Sequence, residues 1–306
     1  MVSKALRPLI RAGRKSPLAW RYLFNLGPTV AYRSGRRALT GEAGRVLADL
    51  NRDGVAITSA EALFEGDSPY AELAAAVEAL ERRLSGEIER ARAEANDPAI
   101  GRKTFIHHLL GEKPALDPQH ICTRFALHNP VLQIANGYFG MYTQLRYYNV
   151  WHTLATRGEA RESQLWHRDR EDYHILKVFV YFSDVDEGAG PFIYAPGTHL
   201  KGKLRQDPDS YLEGGVKRSE DQQMAAVVPP ERWVTCTGRK GTIVFADTRG
   251  YHKGGLARER DRIMYACMFT SSASEVREHF VRPERLPAGM APEQAFALAA
   301  PGRKRG

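Results

Sequence analysis

His167 and Asp169 stand two positions apart in Ser163-Gln-Leu-Trp-His-Arg-Asp, shortly before the apolar run Leu176 to Phe182. In extended chain, residues i and i+2 project to one side, so an imidazole and a carboxylate at this spacing can face one metal ion where a strand runs out. The tripeptide alone carries little. With ten His in 306 residues, roughly half of one His-x-Asp match is expected by chance, and a surface His flanked by charges is the plain alternative. A third ligand on a neighbouring strand changes the weight of the pair. His252 follows the strand-like Gly241-Thr-Ile-Val-Phe-Ala-Asp and sits in Arg249-Gly-Tyr-His-Lys-Gly-Gly. The competing histidines are read as core or turn residues: His174 belongs to the loop after the motif, His199 lies in a Pro-Gly-Thr-His turn, and His279 has no comparable strand on either side.

Two imidazoles and one carboxylate leave part of an iron coordination sphere open, which is the ligand set of non-haem Fe(II) oxygenases. A co-substrate with adjacent keto and carboxylate oxygens can chelate in the open positions, and dioxygen can take the last one. Arg262 follows His252 by ten residues and opens Arg-Ile-Met-Tyr-Ala-Cys-Met-Phe-Thr. Its guanidinium is always charged and grips a carboxylate through two bonds, which suits the far carboxylate of a 2-oxo diacid. Arg258 and Arg260 are nearby alternatives, but Arg262 begins the strand and is better placed to be held rigidly.

Those residues need a scaffold, and the chain has a helical first part and a strand-rich second part, without internal repeats or low-complexity blocks. Ser68 can cap and Pro69 can open a helix with Leu73, Val77, Leu80, Leu84 and Ile88 on one face, ending near Asn96-Asp97-Pro98. A second helix is expected from about Asp117 or Pro118 to Gly137, broken at Asn129-Pro130. From Met141 onward, β-branched and aromatic runs bounded by Gly, Pro and Asp predict strands over Met141 to Trp151, Gln164 to His167, Leu176 to Phe182, Phe192 to Ala195, Trp233 to Cys236, Thr242 to Ala246 and Arg262 to Thr270. Strands that do not alternate with helices disfavour a parallel α/β sheet and point to a barrel or sandwich. The polar stretch 201–230 reads as a long insertion of the kind that forms lids or binding loops. An aromatic wall of Tyr142, Tyr148, Trp151, Phe179 and Tyr181 is open to the readings of substrate contact and of core packing.

Composition bounds the setting. No window approaches the roughly 18 to 20 uninterrupted apolar residues of a membrane span, and the basic N-terminus lacks a small-residue cleavage site. Three widely spaced cysteines, Cys122, Cys236 and Cys267, indicate neither a disulfide framework nor a zinc cluster. A soluble protein of the cytoplasm is expected. The net charge of +8 is local: residues 1–40 hold nine Lys and Arg and no acid, and Arg303-Lys304-Arg305 closes the chain. Such ends suit either solvated arms or contact with an anionic membrane through residues 1–40. Nothing in the body resembles a nucleic-acid module, and no obligatory protein partner is evident.

Taken together, Leu165-Trp-His-Arg-Asp, then Leu176-Lys-Val-Phe-Val-Tyr-Phe-Ser-Asp-Val-Asp-Glu-Gly-Ala-Gly-Pro-Phe with Ala195-Pro-Gly-Thr-His, then Gly250-Tyr-His-Lys-Gly-Gly and Arg262, resemble the phytanoyl-CoA dioxygenase-like family of Fe(II)/2-oxoglutarate oxygenases. The resemblance spans roughly residues 46 to 272, since Leu50-Asn-Arg-Asp-Gly-Val-Ala-Ile-Thr looks like the family's opening strand. It implies an α+β, mainly β fold: a double-stranded β-helix, or cupin-like jelly roll, with N-terminal helices packed on one side. The implied organisation is a basic extension over 1–45, a dioxygenase domain over 46–285 and a tail over 286–306. The resemblance also implies Fe(II) held by His167, Asp169 and His252, 2-oxoglutarate held by Arg262, and consumption of O2 with release of succinate and CO2. A hydroxyl-bearing residue that often follows the distal His by two positions is Gly254 here, and Lys177 and Gln144 are candidate replacements for its contact to the co-substrate. Members that halogenate replace the carboxylate with a small residue, whereas Asp169 is retained, so hydroxylation or a related oxidation of an unactivated C–H bond is expected. The substrate expected is a small molecule, with lipid, sugar-bearing or other secondary metabolites all compatible. A non-catalytic metal- or ligand-binding jelly roll and a metal-assisted hydrolase are the alternatives.

Overall fold

A computed structural model describes residues 16–35, 38–96, 105–213 and 215–300. The strands are β1 (Val55–Ser59), β2 (Ile106–His108), β3 (Gln144–Thr153), β4 (Leu176–Tyr181), β5 (Phe192–Tyr194), β6 (Tyr211–Glu213), β7 (Val216–Arg218), β8 (Val234–Cys236), β9 (Thr242–Asp247), β10 (His252–Gly254) and β11 (Arg262–Thr270). Six of them form an antiparallel sheet in the order β1-β9-β4-β11-β3-β2, and a smaller sheet, β10-β5-β8, faces it. This is the jelly roll that the resemblance implies.

Both faces of the larger sheet are covered, which is why its central strands read as continuous apolar runs rather than alternating ones. On β4 the even residues Leu176, Val178 and Val180 pack against the helices, while Phe179 and Tyr181 pack against Phe192, Tyr194 and Cys236 of the smaller sheet. The same parity places Tyr265, Cys267 and Phe269 of β11 on the helical side and Met264 and Ala266 on the inner side. Helix Gly41–Asp53 buries Val46 and Leu50 in the helical layer and stops at Gly54, whose φ of 83° lies in the left-handed region. A side chain there would be strained and would also collide with Tyr194 and His199. The chain can therefore turn at once into β1.

The expected helix after Pro69 is two, Tyr70–Arg83 and Ser85–Ala95, broken at Leu84. Its expected end at Asp97-Pro98 lies outside the described residues. The second expected helix is also two, Ile121–Ala126 and Asn129–Phe139, with Pro130 in the opening turn of the latter, where its missing N–H costs nothing. The strand expected over Gln164 to His167 is instead a 3-10 turn, Glu162–Gln164, followed by single-residue bridges from Trp166 to Ser219 and from His167 to His252. The insertion 201–230 carries the β6–β7 hairpin and helix Asp221–Ala225, and its Met224 and Val228 cover Trp166.

Outside these elements, residues 16–35 form a helical segment whose Trp20 enters the helical core, and helix Pro292–Ala297 buries Ala297 and Leu298 in the same core. The basic residues Lys4, Arg7, Arg11, Arg14, Lys15, Arg36 and Arg37, and the Arg303-Lys304-Arg305 cluster, lie outside the described residues. All three cysteines are buried free thiols. Among the described residues no helix is long and apolar enough to cross a membrane.

Candidate active site

His167 and His252 meet where the two sheets open. Their backbones exchange both hydrogen bonds across one antiparallel bridge, His167 N to His252 O at 3.0 Å and His252 N to His167 O at 3.1 Å. Asp169 is fixed two residues on: its N–H donates to Thr248 O at 2.9 Å, and Arg249 Nη1 donates to its carbonyl at 2.7 Å. One ligand-capable atom from each of His167, Asp169 and His252 lies within 4.8 Å of the others, the one such group among the described residues.

The imidazoles are oriented by their far nitrogens. His167 Nδ1 lies 2.8 Å from Leu165 O and His252 Nδ1 lies 3.0 Å from Gly250 O. A carbonyl only accepts, so Nδ1 carries the proton in each ring and the Nε2 lone pairs are left for a metal. Burial holds both rings neutral: it pushes His167 well below the ordinary histidine range and His252 down to about 4, against the opposing pull of Asp169. Burial works against ionisation of Asp169 too, but the Lys177 ammonium beside it outweighs this and holds the carboxyl well below its usual range. Neutral imidazoles beside an ionised carboxylate are the protonation states that metal binding requires.

Lys177 projects from the inner face of β4, and its Nζ lies 2.6 Å from Asp169 Oδ2, a close ion pair that does not meet hydrogen-bond geometry. Burial acts to lower the lysine's pKa, and Asp169 more than reverses this. Arg262 opens β11, is 3% exposed, and lines the same cavity as the three metal-type ligands. Its Nε and Nη1 are buried with no hydrogen-bond partner among the described residues. A desolvated guanidinium in that condition is costly unless an anion completes it. The arginine alternatives are engaged elsewhere: Arg258 donates to Thr156 O at 3.2 Å, and exposed Arg260 pairs with Asp186.

The cavity has a volume of about 290 Å³ and runs from these residues to Phe105, His108, Glu112 and His279. Rings line one side in sequence, Tyr147 to Trp151 at 6.1 Å between centroids, Trp151 to Phe179 at 6.1 Å, Phe179 to Phe192 at 5.0 Å and Phe192 to His252 at 5.5 Å. Of the aromatic wall read from the sequence, Trp151 and Phe179 are in place. Tyr148 faces the helices and donates to Ala115 O, Tyr181 donates to Cys236 O, and Tyr142 stands against Phe296. Gln144 does not line the cavity: its amide donates to Ala299 O at 3.2 Å and accepts from Arg146 at 3.2 Å, so it fastens the C-terminal segment to β3.

Ser163 was not singled out by sequence reasoning. It lines the cavity, and its carbonyl lies 3.5 Å from the point a side chain at Gly254 would reach. Its place at the head of the Gln-Leu-Trp-His run was the available signal. His279 lines the cavity as well, edge-on to Tyr147 at 5.6 Å. The other two histidines are structural in their contacts. His174 Nδ1 lies 3.1 Å from Asp247 Oδ2, which also accepts from Tyr138 at 2.6 Å, and His199 reaches Asn51 O.

Among solved structures the chain is similar in fold to EctD from S. alaskensis with bound Fe, at 17% identity and a TM-score of 0.53 over 89% of each chain. It is also similar to the epimerase SnoN in complex with Fe3+, alpha ketoglutarate and nogalamycin RO, at 19% identity and a TM-score of 0.51 over 86% of this chain and 92% of that one. AviO1 from Streptomyces viridochromogenes Tue57 is a third, at 22% identity and a TM-score of 0.50 over 77% of this chain and 98% of that one. No curated protein sequence matches the chain. The family model Phytanoyl-CoA dioxygenase (PhyH) matches residues 50–260, a span that contains five of the six strands of the larger sheet and all three metal-type ligands and ends just before β11 and Arg262. The chain belongs to the phytanoyl-CoA dioxygenase family of non-haem iron, 2-oxoglutarate-dependent oxygenases.

Proposed function

We propose that His167, Asp169 and His252 hold Fe(II), that Arg262 binds the far carboxylate of 2-oxoglutarate, and that the protein hydroxylates, or otherwise oxidises, a C–H bond of a small-molecule substrate. The observation that carries this reading is the buried Arg262 guanidinium with two unpartnered nitrogens, in one cavity with two neutral imidazoles and an ionised carboxylate. That combination fits a metal and a dicarboxylate together; a metal site alone has no use for the arginine.

When bound, iron with 2-oxoglutarate and O2 supplies the oxidising power, with succinate and CO2 released. The chain's own groups do the positioning. The carbonyls of Leu165 and Gly250 fix the imidazole tautomers, Lys177 steadies the second oxygen of Asp169, and Arg249 anchors the backbone that carries it. Ser163 lines the cavity beside Gly254, the position that lacks a hydroxyl-bearing side chain. The rings from Tyr147 to Phe192 exclude water and hold the apolar body of the substrate so that one C–H faces the open metal position. Retention of Asp169 supports hydroxylation over halogenation.

An anaerobic titration of metal-free protein with Fe(II) and then 2-oxoglutarate, followed in the visible spectrum, tests the assignment. A charge-transfer band that needs both additions and weakens in Asp169→Ala and Arg262→Ala is expected. Absence of the band in folded, iron-binding wild type would move the reading to a ligand-binding or hydrolytic jelly roll, and succinate release under air separates an enzyme from a binding protein.

A further inference from the structure

Five of the eight exposed large apolar side chains among the described residues fall in one short segment: Leu18, Tyr22, Leu23, Leu26 and Val30. Leu18 and Leu23 are 69% and 71% exposed, far beyond what a helix docked through its apolar face would leave. The segment is held by its other side. Trp20, Asn25 and Thr29 are buried, and the π-helical turn Trp20–Phe24 supplies the wider spacing that brings Trp20 and Asn25 to the same side. Trp20 Nε1 donates to Asp172 Oδ1 at 2.9 Å and Ser271 Oγ at 3.1 Å, and Arg21 donates to the carbonyls of Phe139 and Gly140. Ser272 Oγ donates to Asn25 Oδ1 at 2.7 Å, and Tyr142 N to Pro28 O at 3.2 Å. The outward apolar row is therefore fixed in place on the body.

Charge decides what can cover it. The first 40 residues hold nine basic side chains and no acid, and within the row Arg33 donates to Tyr22 Oη at 3.2 Å with its guanidinium over the ring. A second copy packed on this face would bring two such basic segments together, which self-repulsion opposes. An apolar surface dressed with negative charge satisfies both features at once, as in amphipathic helices that lie in the plane of an anionic bilayer with basic residues at the headgroups. We propose that residues 16–35 are an in-plane docking element for an anionic lipid surface, with Leu18, Leu23, Leu26 and Val30 entering the acyl boundary. Because Trp20 is fastened to Asp172, three residues past Asp169, docking would set the loop of the candidate metal site near that surface.

The test is flotation of the full chain with vesicles of phosphatidylcholine alone and with added phosphatidylglycerol. Binding to the anionic vesicles only, reduced by salt, is expected. The double variant Leu23→Glu with Leu26→Glu changes exposed side chains and should keep its thermal unfolding, yet lose at least about tenfold in vesicle affinity, since several buried methylenes are replaced by charge. Equal or absent binding to the two vesicle types, or binding indifferent to the double variant, would overturn the proposal. Lipid-free dimerisation abolished by the same variant would assign the face to a second copy and overturn it as well.

Discussion

At the scale of the residue, Arg262 is the sharpest prediction. Shortening it to Arg262→Lys keeps a charge but loses the planar fork, and Arg262→Met removes the partner altogether. Truncating one member of a buried, hydrogen-bonded charge pair costs about 2–5 kcal/mol, so half-saturation of succinate formation by 2-oxoglutarate should rise roughly 30- to 5,000-fold in Arg262→Met, with a smaller rise in the lysine variant. Iron affinity without co-substrate should stay near that of wild type, because Arg262 is not among the clustered ligand atoms. The residues of this site were legible in unequal measure. His167, Asp169 and His252 announced themselves because metal chemistry restricts which side chains can serve, and Arg262 because a strand start holds a long side chain still. Gln144 misled for a physical reason: it stands at the start of β3, where Arg146 and the Ala299 carbonyl of the C-terminal segment engage its amide, a contact far off in the chain that leaves no mark in the composition of the strand. Tyr148 misled because both faces of β3 carry aromatic residues, so no polar partner showed that Tyr147 and Trp151 are the inner pair.

At the scale of the element, the question is what holds the head of β11, and with it Arg262, against the rest of the sheet. Asp261 precedes Arg262 and accepts from Arg92 at 3.0 and 2.7 Å, from the Ala155 N–H at 2.9 Å, and pairs with His152 Nε2 at 2.6 Å. The other nitrogen of His152 lies 3.4 Å from Glu81 Oε1. Helices Tyr70–Arg83 and Ser85–Ala95 are thereby tied to β3 and β11 at the end of the sheet that opens on the cavity. Burial alone would lower the pKa of His152, but its two carboxylate partners raise it to about 9. A folded-state pKa above the unfolded one means stability present in full below about pH 6.5 and lost as pH rises through about 9. The protonated ring should contribute on the order of 2–3 kcal/mol at pH 6. His152→Gln should therefore destabilise the protein at pH 6 and by much less at pH 10, read as the difference in denaturation midpoint between the two variants at each pH. An equal loss at both values would mean that the ring acts by packing alone. None of this network could be read from the sequence, because its members lie far apart in the chain and only the fold collects them. The broad assignment of helices before strands was legible, since a period of three to four residues gives way to short β-branched runs near Met141. The breaks at Leu84 and before Asn129 were harder, since only Pro130 marks one of them.

At the scale of the whole molecule, the N-terminal segment, the loop after the His-x-Asp motif and the end of β11 meet at one point, the indole of Trp20. Its ring is 1% exposed and packs against Tyr173 at 5.0 Å and His174 at 5.4 Å between centroids, while its N–H serves Asp172 and Ser271. Asp172 is half-buried, and desolvation raises its pKa, so the donors around it are what keep the carboxylate tolerable there. His174 in turn leans on Asp247, and the turn after Asp247 holds the backbone of Asp169 through Thr248 and Arg249. Trp20→Ala should cost about 3–5 kcal/mol as a large core truncation, which for a chain of this size corresponds to a fall in Tm of roughly 5–8 °C. If the indole acted only as core filling, the surviving folded protein would bind Fe(II) as wild type does. The shared contacts predict otherwise: at a temperature where Trp20→Ala is fully folded, its Fe(II) affinity, measured by anaerobic titration, should fall several-fold although Trp20 contributes no ligand. Leu23→Glu, on the outer side of the same segment, should leave it unchanged. A folded Trp20→Ala with wild-type iron affinity would show that the loop holding Asp169 is set by Asp247 and its partners alone, and that the N-terminal segment is attached to the site without bearing on it.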